Sequence, residues 1–306
     1  MKIGIVIVNW KGWRDTIDCI ASLKQIAQPK DWQVEVVVVD NGSTDGSLDK
    51  IKKAQVKQKK NGIEILLIEA GRNLGFSGGN NVGIELFLGK KADYILLLNN
   101  DTIVHPDFLA NLVNGAERLG YLVAGPKIYF AHSHEYHDRY SRDERGKVIW
   151  YAGGIIDWNN IYCSHRGVDV VDIGQFNTSG PTDFISGCCL LVKREVFEAV
   201  GLLDDNYFLY LEDVDFCIRA KRAGFNLGFI PDSNIWHKNA QSSDKPGSST
   251  HVYYQTRNRM IFGMRYATIR TKIALIRESF SLWLKSGIKR EAISDFYLRH
   301  YGKRKD

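Results

Sequence analysis

The apolar run Leu96-Leu97-Leu98 ends abruptly in Asn99-Asn100-Asp101-Thr102, so a buried strand gives way to a polar tip with one carboxylate. Such a tip suits a divalent cation holding a diphosphate, because Mg²⁺ and Mn²⁺ take hard oxygen ligands and open sheets receive ligands at strand carboxyl ends. An ordinary strand-to-turn exit explains the same residues, since Asn and Asp dominate turns. Three further clusters bear on that choice.

In Val39-Asp40-Asn41-Gly42-Ser43-Thr44-Asp45, a strand ends at Asp40 before a glycine turn that opens a helix. A carboxylate there can accept hydrogen bonds from a nucleobase imide or a ribose hydroxyl. Helix capping accounts for Ser43 to Asp45 better than for Asp40, which lies too early. Asn73-Leu74-Gly75-Phe76-Ser77-Gly78-Gly79-Asn80-Asn81 places three glycines around a helix start, where backbone amides can approach an anion. It is neither a Walker loop nor a G-x-G-x-x-G fingerprint, and a plain glycine-rich turn also fits.

The third cluster is Phe208-Leu209-Tyr210-Leu211-Glu212-Asp213-Val214-Asp215. Carboxylates at a helix start favour the macrodipole. Here, however, apolar residues directly precede them, and crowded carboxylates in apolar surroundings acquire the raised pKa that a general base requires. This assigns chemistry to Asp213, leaves Glu212 between catalysis and a supporting hydrogen bond, and gives Asp215 to helix structure. His237, after Trp236, reads by itself as a core or surface histidine, and His132, His134 and His137 lack zinc-site spacing.

The elements that must position these clusters alternate. Strands are expected at 3–9, 34–39, 63–68, 94–98 and 121–126, with helices at 15–25, 47–60, 79–88 and 106–118, which predicts an α/β doubly wound sheet with right-handed crossovers. An excursion of antiparallel character follows over about 130–181, with strand-like pieces at 148–156 and 168–173. Then come a strand at 188–192, helices at 194–200 and 213–223, a strand at 226–230, a polar loop at 241–250 and a helical remainder.

The 306 residues are 44% hydrophobic and 25% charged, an ordinary globular composition. Five scattered cysteines form no C-x-x-C pair and read as reduced thiols. No apolar stretch is long enough to span a bilayer, and Lys2 leads into a strand rather than a signal peptide, so a cytoplasmic location is the expectation. From Arg257 to Lys305, thirteen Lys and Arg residues face only Glu278, Glu291 and Asp295. Without interleaved stacking aromatics this tail does not read as a nucleic-acid binder. Helices carrying Ile273, Phe280 and Trp283 beside Arg and Lys suit the inner face of an anionic membrane as a peripheral contact; packing on the chain's own domain, or on a second subunit as a homodimer, suits them equally.

Taken together, Ile7-Val8-Asn9-Trp10, Val39-Asp40-Asn41-Gly42-Ser43, Asn73-Leu74-Gly75-Phe76, Asn99-Asn100-Asp101, Ser186-Gly187-Cys188 and Glu212-Asp213-Val214-Asp215 occur in the order seen in family 2 glycosyltransferases. The chain most resembles their rhamnosyltransferase-like branch, which Trp150-Tyr151-Ala152-Gly153-Gly154 and His165-Arg166-Gly167 also echo. The resemblance covers about residues 1–240. It implies a GT-A fold: a Rossmann-like half over 1–128, an acceptor and catalytic half over 129–250, and a mixed central sheet flanked by helices. Residues 251–306 are expected as a basic helical extension.

The resemblance further implies an inverting transfer from a nucleotide-diphosphate sugar, with Mn²⁺ or Mg²⁺ as cofactor. Asp213 resembles the catalytic base, with Glu212 beside it. Asp101 and His237 resemble metal ligands, and Asn99 stands where many members carry the first Asp of D-x-D. Val8, Asn9, Asp40, Asn73, Gly75, Phe76, Asn80, Asn99 and Asn100 fall to the donor; Gly187, Trp150 and His165 fall to the acceptor. dTDP-rhamnose or a UDP-sugar is the expected donor, and a glycan or lipid-linked molecule the expected acceptor. A nucleotidyltransferase or dehydrogenase would place a glycine-rich loop where Asn9-Trp10-Lys11-Gly12-Trp13 stands. A non-catalytic sugar-binding protein would not need Asp101, Asp213 and His237 together.

Overall fold

In the computed structural model, residues 1–57, 63–239 and 247–305 are described, and side chains at 55–57 are not. The expected end of the second helix at Lys60 and most of the expected polar loop, 241–246, lie outside the described residues.

The first half runs β1 (Lys2–Asn9), α1 (Trp13–Leu23), β2 (Gln33–Asp40), α2 (Ser47–Lys57), β3 (Glu64–Glu69), α3 (Gly75–Gly89) and β4 (Tyr94–Leu98). β5 (Thr102–Val104), α4 (Phe108–Leu119) and β6 (Val123–Phe130) follow, then β7 (Ile149–Tyr151), β8 (Gly154–Asp157), β9 (Tyr162–His165) and β10 (Gly180–Pro181). The chain continues through β11 (Cys189–Lys193), α5 (Arg194–Val200), α6 (Glu212–Arg222) and β12 (Leu227–His237), and closes with α7 (Ser249–Tyr266), α8 (Ile269–Trp283) and α9 (Ile288–Tyr297).

The main sheet is ordered β10-β12-β6-β11-β4-β1-β2-β3, with β5 on β12 and β7 on β6. β1 to β4 are parallel, and β11 inserts antiparallel between β4 and β6, so the sheet is mixed. Val36 to Val39 are fully buried because helices cover both faces, which is why β2 reads as an unbroken apolar run. α4 buries Phe108, Leu112 and Val113 along one stripe and stops at left-handed Gly120.

Register decides what gathers at one edge. Asn9 pairs with Asp40 across β1 and β2, Leu98 pairs with Cys189 across β4 and β11, and His237 pairs with Thr102 across β12 and β5. The carboxyl ends of the parallel strands, the start of β11 and the end of β12 therefore converge, as ligand sites of open α/β sheets do.

Three expectations are corrected. The strand expected at 226–230 runs on to His237: Pro231, Asp232 and Ser233 form a bulge in the β6 ladder rather than a turn, and Ser233 Oγ donates to the Phe108 carbonyl. The helix expected at 79–88 begins at Gly75, so the glycines lie in its first turns. The piece expected at 168–173 contributes one isolated bridge, Val148 to Val171. β8 and β9 form a separate antiparallel hairpin within the excursion. The cysteines are free thiols, all buried except half-buried Cys163. Met260, Phe262, Leu275 and Ile293 of the last three helices join the main core.

Candidate active site

A cleft of about 1130 Å³ opens at the convergent edge. One wall carries Val8, Asn41, Asn73, Gly75, Phe76 and Asn80; its floor carries Asn99, Asn100 and Asp101. The opposite side carries Trp150, His165, Gly187, Glu212, Asp213 and His237. The sequence-predicted residues thus meet in one place, except Asn9 and Asp40. Those two are buried behind the cleft surface: Asn9 Nδ2 donates to Asp40 Oδ1 at 2.7 Å, and the Ser43 amide donates to Asp40 Oδ2 at 3.0 Å. Asp40 therefore braces the Asn41–Ser43 turn from within.

The Gly75 turn is built for close approach. Asn41 Oδ1 accepts from the Leu74 amide, and Asn73 Oδ1 accepts from the Gly75 amide, both at 2.9 Å. Gly75 has φ +76°, and a Cβ there would stand 2.3 Å from the Phe208 carbonyl oxygen. That carbonyl accepts from the Phe76 amide at 2.7 Å, joining this wall to the segment before Glu212.

That segment is strained. Phe208, Tyr210 and Leu211 all have left-handed φ of 64–71° without being glycine, at a cost of about 1 kcal/mol or more each. Asn258 of α7 offsets the strain, donating to the carbonyls of Tyr207, Leu209 and Tyr210 at 2.8–2.9 Å. Arg257, wholly buried, donates to the carbonyls of Asn206, Tyr207, His300 and Gly302. Sequence reasoning missed both, counting Arg257 only as tail charge. Their signal was positional: Tyr253, Tyr254, Arg257, Asn258 and Ile261 share one buried helical face.

Asp213 emerges from this loop at the start of α6. Its Oδ2 accepts from the Gly187 amide at 2.7 Å and its Oδ1 from the Val214 amide at 2.8 Å. Burial raises its pKa against those two hydrogen bonds, which lower it. Glu212 is pushed well above the ordinary carboxylate range by burial and by the adjacent Asp213 charge, and its Oε2 is buried without a hydrogen-bond partner. Burial and the neighbouring charge thus disfavour ionised Glu212, whereas two backbone amides hydrogen-bond to the Asp213 carboxylate. Asp215 points the other way, held by Arg219, Arg265, Tyr207 and Tyr266.

The bulged β12 delivers His237 to Asp101. Nε2 lies 3.1 Å from Asp101 Oδ1, yet neither ring nitrogen makes a hydrogen bond. Trp150 packs edge-on against the imidazole of His237 at 4.5 Å and against His165 at 4.3 Å, fixing both rings. An unsatisfied buried imidazole beside a carboxylate fits a divalent cation, for which two oxygen or nitrogen ligands stand about 3 Å apart when adjacent at about 2.1 Å. No cluster of three or more His, Cys, Asp or Glu side chains stands there among the described residues, so diphosphate oxygens and water would complete the shell. His165 is pushed down to about 4, chiefly by burial, and is neutral at pH 7.

The Asn99–Asp101 tip and Asp213 are linked through backbone. The Asn99 amide donates to the Cys188 carbonyl at 2.9 Å, and Gly187, next in the chain, donates to Asp213. A family model described as glycosyl transferase family 2 matches residues 4–201. The chain belongs to that family. As a glycosyltransferase it resembles the low-salt glycan biosynthesis hexosyltransferase Agl10 of Haloferax volcanii, at 26% identity over 85% of this chain and 74% of that protein. The N-acetylglucosaminyl-diphospho-decaprenol L-rhamnosyltransferase of Mycobacterium tuberculosis is 28% identical over 75% of this chain and 74% of its own length. Among solved structures, GalNAc-T7 with UDP, GalNAc and Mn²⁺ matches with TM-score 0.61 at 18% identity, covering 98% of this chain and 58% of that one. The mannosyltransferase PcManGT of Pyrobaculum calidifontis, in complex with GDP-Man and Mn²⁺, matches with TM-score 0.55 at 14% identity, covering 97% and 74%. These likenesses place the glycosyltransferase in the GT-A fold.

Proposed function

We propose that this glycosyltransferase moves a sugar, rhamnose from dTDP-rhamnose in the first instance, to a hydroxyl of a glycan or lipid-linked acceptor with inversion. One observation carries the reading: Asp213, its pKa raised by burial, and the buried Asp101–His237 pair, whose imidazole makes no hydrogen bond, share one cleft and are linked through Asn99, Cys188 and Gly187. Likeness to named rhamnosyltransferases supports the sugar, while a UDP-sugar suits the same wall.

The nucleotide lies along Val8, Asn41, Gly42 and Asn73, with Asp40 bracing the turn from behind. Asp101 and His237 would hold a divalent cation, which supplies neutralisation of the diphosphate leaving group. Asn99 faces the same cleft and offers a neutral oxygen. Asp213 accepts the proton of the acceptor hydroxyl as that oxygen attacks the anomeric carbon from the side opposite the diphosphate. One displacement forms the new C–O bond and breaks the old, so the anomeric configuration inverts. Trp150 and His165 line the acceptor side, where a neutral imidazole can donate or accept a hydrogen bond from a sugar hydroxyl.

The test pairs a thermal-shift panel of nucleotide sugars, with and without Mn²⁺, with NMR of the product. Stabilisation by dTDP-rhamnose that requires Mn²⁺, and an inverted anomeric centre, support the reading. Retention of configuration, or a nucleotidyl product, overturns it.

A further inference from the structure

The last two helices carry a face that the fold does not use. Ile269, Ile273, Phe280 and Leu284 fall on one stripe at helical spacing, and they are 79%, 49%, 59% and 79% exposed. Trp283 widens the stripe, and Tyr297 of α9 extends it through a ring contact with Phe280 at 6.5 Å between centroids. The opposite side of α8 is committed to the protein: Leu275 and Ser279 are buried, and Leu275 joins the main core.

Charge decides what would cover this face. The acids of the two helices are already engaged within the molecule: Glu278 by Arg259 at 2.8 Å, Glu291 by Arg304 at 2.6 Å, and Asp295 by the Tyr253 hydroxyl at 2.6 Å and His300 at 3.1 Å. Among the described residues, Arg270, Lys272, Arg277, Lys285, Lys289 and Arg299 make no ion pair. Arg270 and Arg277 run along one flank of the stripe and Lys272 along the other, while Arg290 caps the Trp283 ring at 5.3 Å. An apolar stripe edged by unpaired cations complements a layer that is anionic at its surface and hydrocarbon beneath. No described helix is long and apolar enough to cross a membrane, so the face would lie on the layer rather than span it.

We propose that the exposed face of α8 and α9 docks on an anionic lipid bilayer, with the apolar stripe at the headgroup boundary and the flanking cations on the phosphates. α7, on which α9 packs, and the segment that follows α9 border the cleft, contributing His251 and Tyr254, and Lys303 and Lys305. Docking would thus set the cleft beside the surface from which a lipid-linked acceptor projects. The docking rests on this face alone; only that last link rests on the proposed acceptor.

The full chain is floated with phosphatidylcholine vesicles and with vesicles containing phosphatidylglycerol. Binding to the anionic vesicles alone, released as salt approaches ~1 M, is expected. The pairs Phe280→Ser with Trp283→Ser, and Arg270→Glu with Arg277→Glu, should each weaken it on the order of tenfold while melting and donor binding stay unchanged. Absence of vesicle binding, or binding indifferent to both pairs, overturns the proposal. So does a dimer in light scattering that Phe280→Ser dissolves, because that assigns the face to a second copy. Loss of transfer to every acceptor with vesicle binding intact would count against the proposed function instead.

Discussion

His237 Nε2 stands 3.1 Å from Asp101 Oδ1 with no hydrogen bond on either ring nitrogen, both side chains being about 5% exposed. Leaving a buried polar group unsatisfied costs about 1–3 kcal/mol, which a bound cation would recover. His237→Ala should therefore raise the Mn²⁺ concentration for half-maximal activity by about tenfold or more, with Asp101→Asn at least as severe. Activity titrated against Mn²⁺ reads this directly, and unchanged curves would remove both residues from the cation site.

Asn258 donates to three carbonyls of the left-handed loop before Glu212, at about 1 kcal/mol net per bond. Asn258→Ala should cost about 2–4 kcal/mol of stability in chemical denaturation. Because the loop aims Asp213, kcat should fall further than donor affinity. Full stability with normal kcat would show that the strain is held elsewhere.

Gly187 admits the close approach of Phe76 and Asp213. A Cβ there would lie 3.0 Å from the Phe76 ring and 3.4 Å from Asp213 Cβ. Gly187→Ala should displace one of them and lower kcat by about tenfold or more, since small misplacements at reacting groups are costly. Donor-binding calorimetry separates the two: affinity stays intact if Asp213 is displaced and falls if the Phe76 ring is.

His165 has a folded-state pKa of about 4 against an ordinary 6.5, so the folded chain binds fewer protons than the unfolded chain between those values. Stability contributed by the neutral ring is complete above pH 6.5 and declines as pH falls toward 4. The loss is at most about 3 kcal/mol, less where cleft water screens the charge. Urea denaturation across pH 4–7 should show a slope that His165→Gln flattens.

The strand tips at Asn99–Asp101 and the acidic start of α6 were legible because a β-run that ends in polar residues, or a helix that opens on carboxylates after aromatics, is a local pattern. The Asp101–His237 pairing was legible only by resemblance. Three residues, Pro231 to Ser233, look like a turn, yet act as a bulge because both flanks keep partners in β6. Asp40 was expected at the cleft; it stands buried just behind the cleft surface, where it accepts from Asn9 across the strands and from the Ser43 amide, contacts that composition does not reveal. The left-handed residues at 208, 210 and 211 carry no glycine to announce them. Arg257 counted as tail charge, although its four carbonyl partners bury it completely.

The two acids of the α6 start should separate cleanly. Burial and the Asp213 charge both disfavour a charged Glu212, so the uncharged Glu212→Gln should lower turnover only a few-fold. The acidic limb of the pH–rate profile should lie above the ordinary carboxylate range, since Asp213 must lose its proton to act and its pKa is raised. A limb at ordinary carboxylate values would contradict the environment described.

The most direct measurement is transfer and donor binding in Asp213→Asn, made side by side with Mn²⁺ present. The account predicts a ~10²–10⁴-fold loss of turnover with dTDP-rhamnose binding within a few-fold of the unmodified enzyme. Turnover that survives the substitution, or donor binding that is lost with it, would contradict the assignment of Asp213 as the base beside the Asp101–His237 pair.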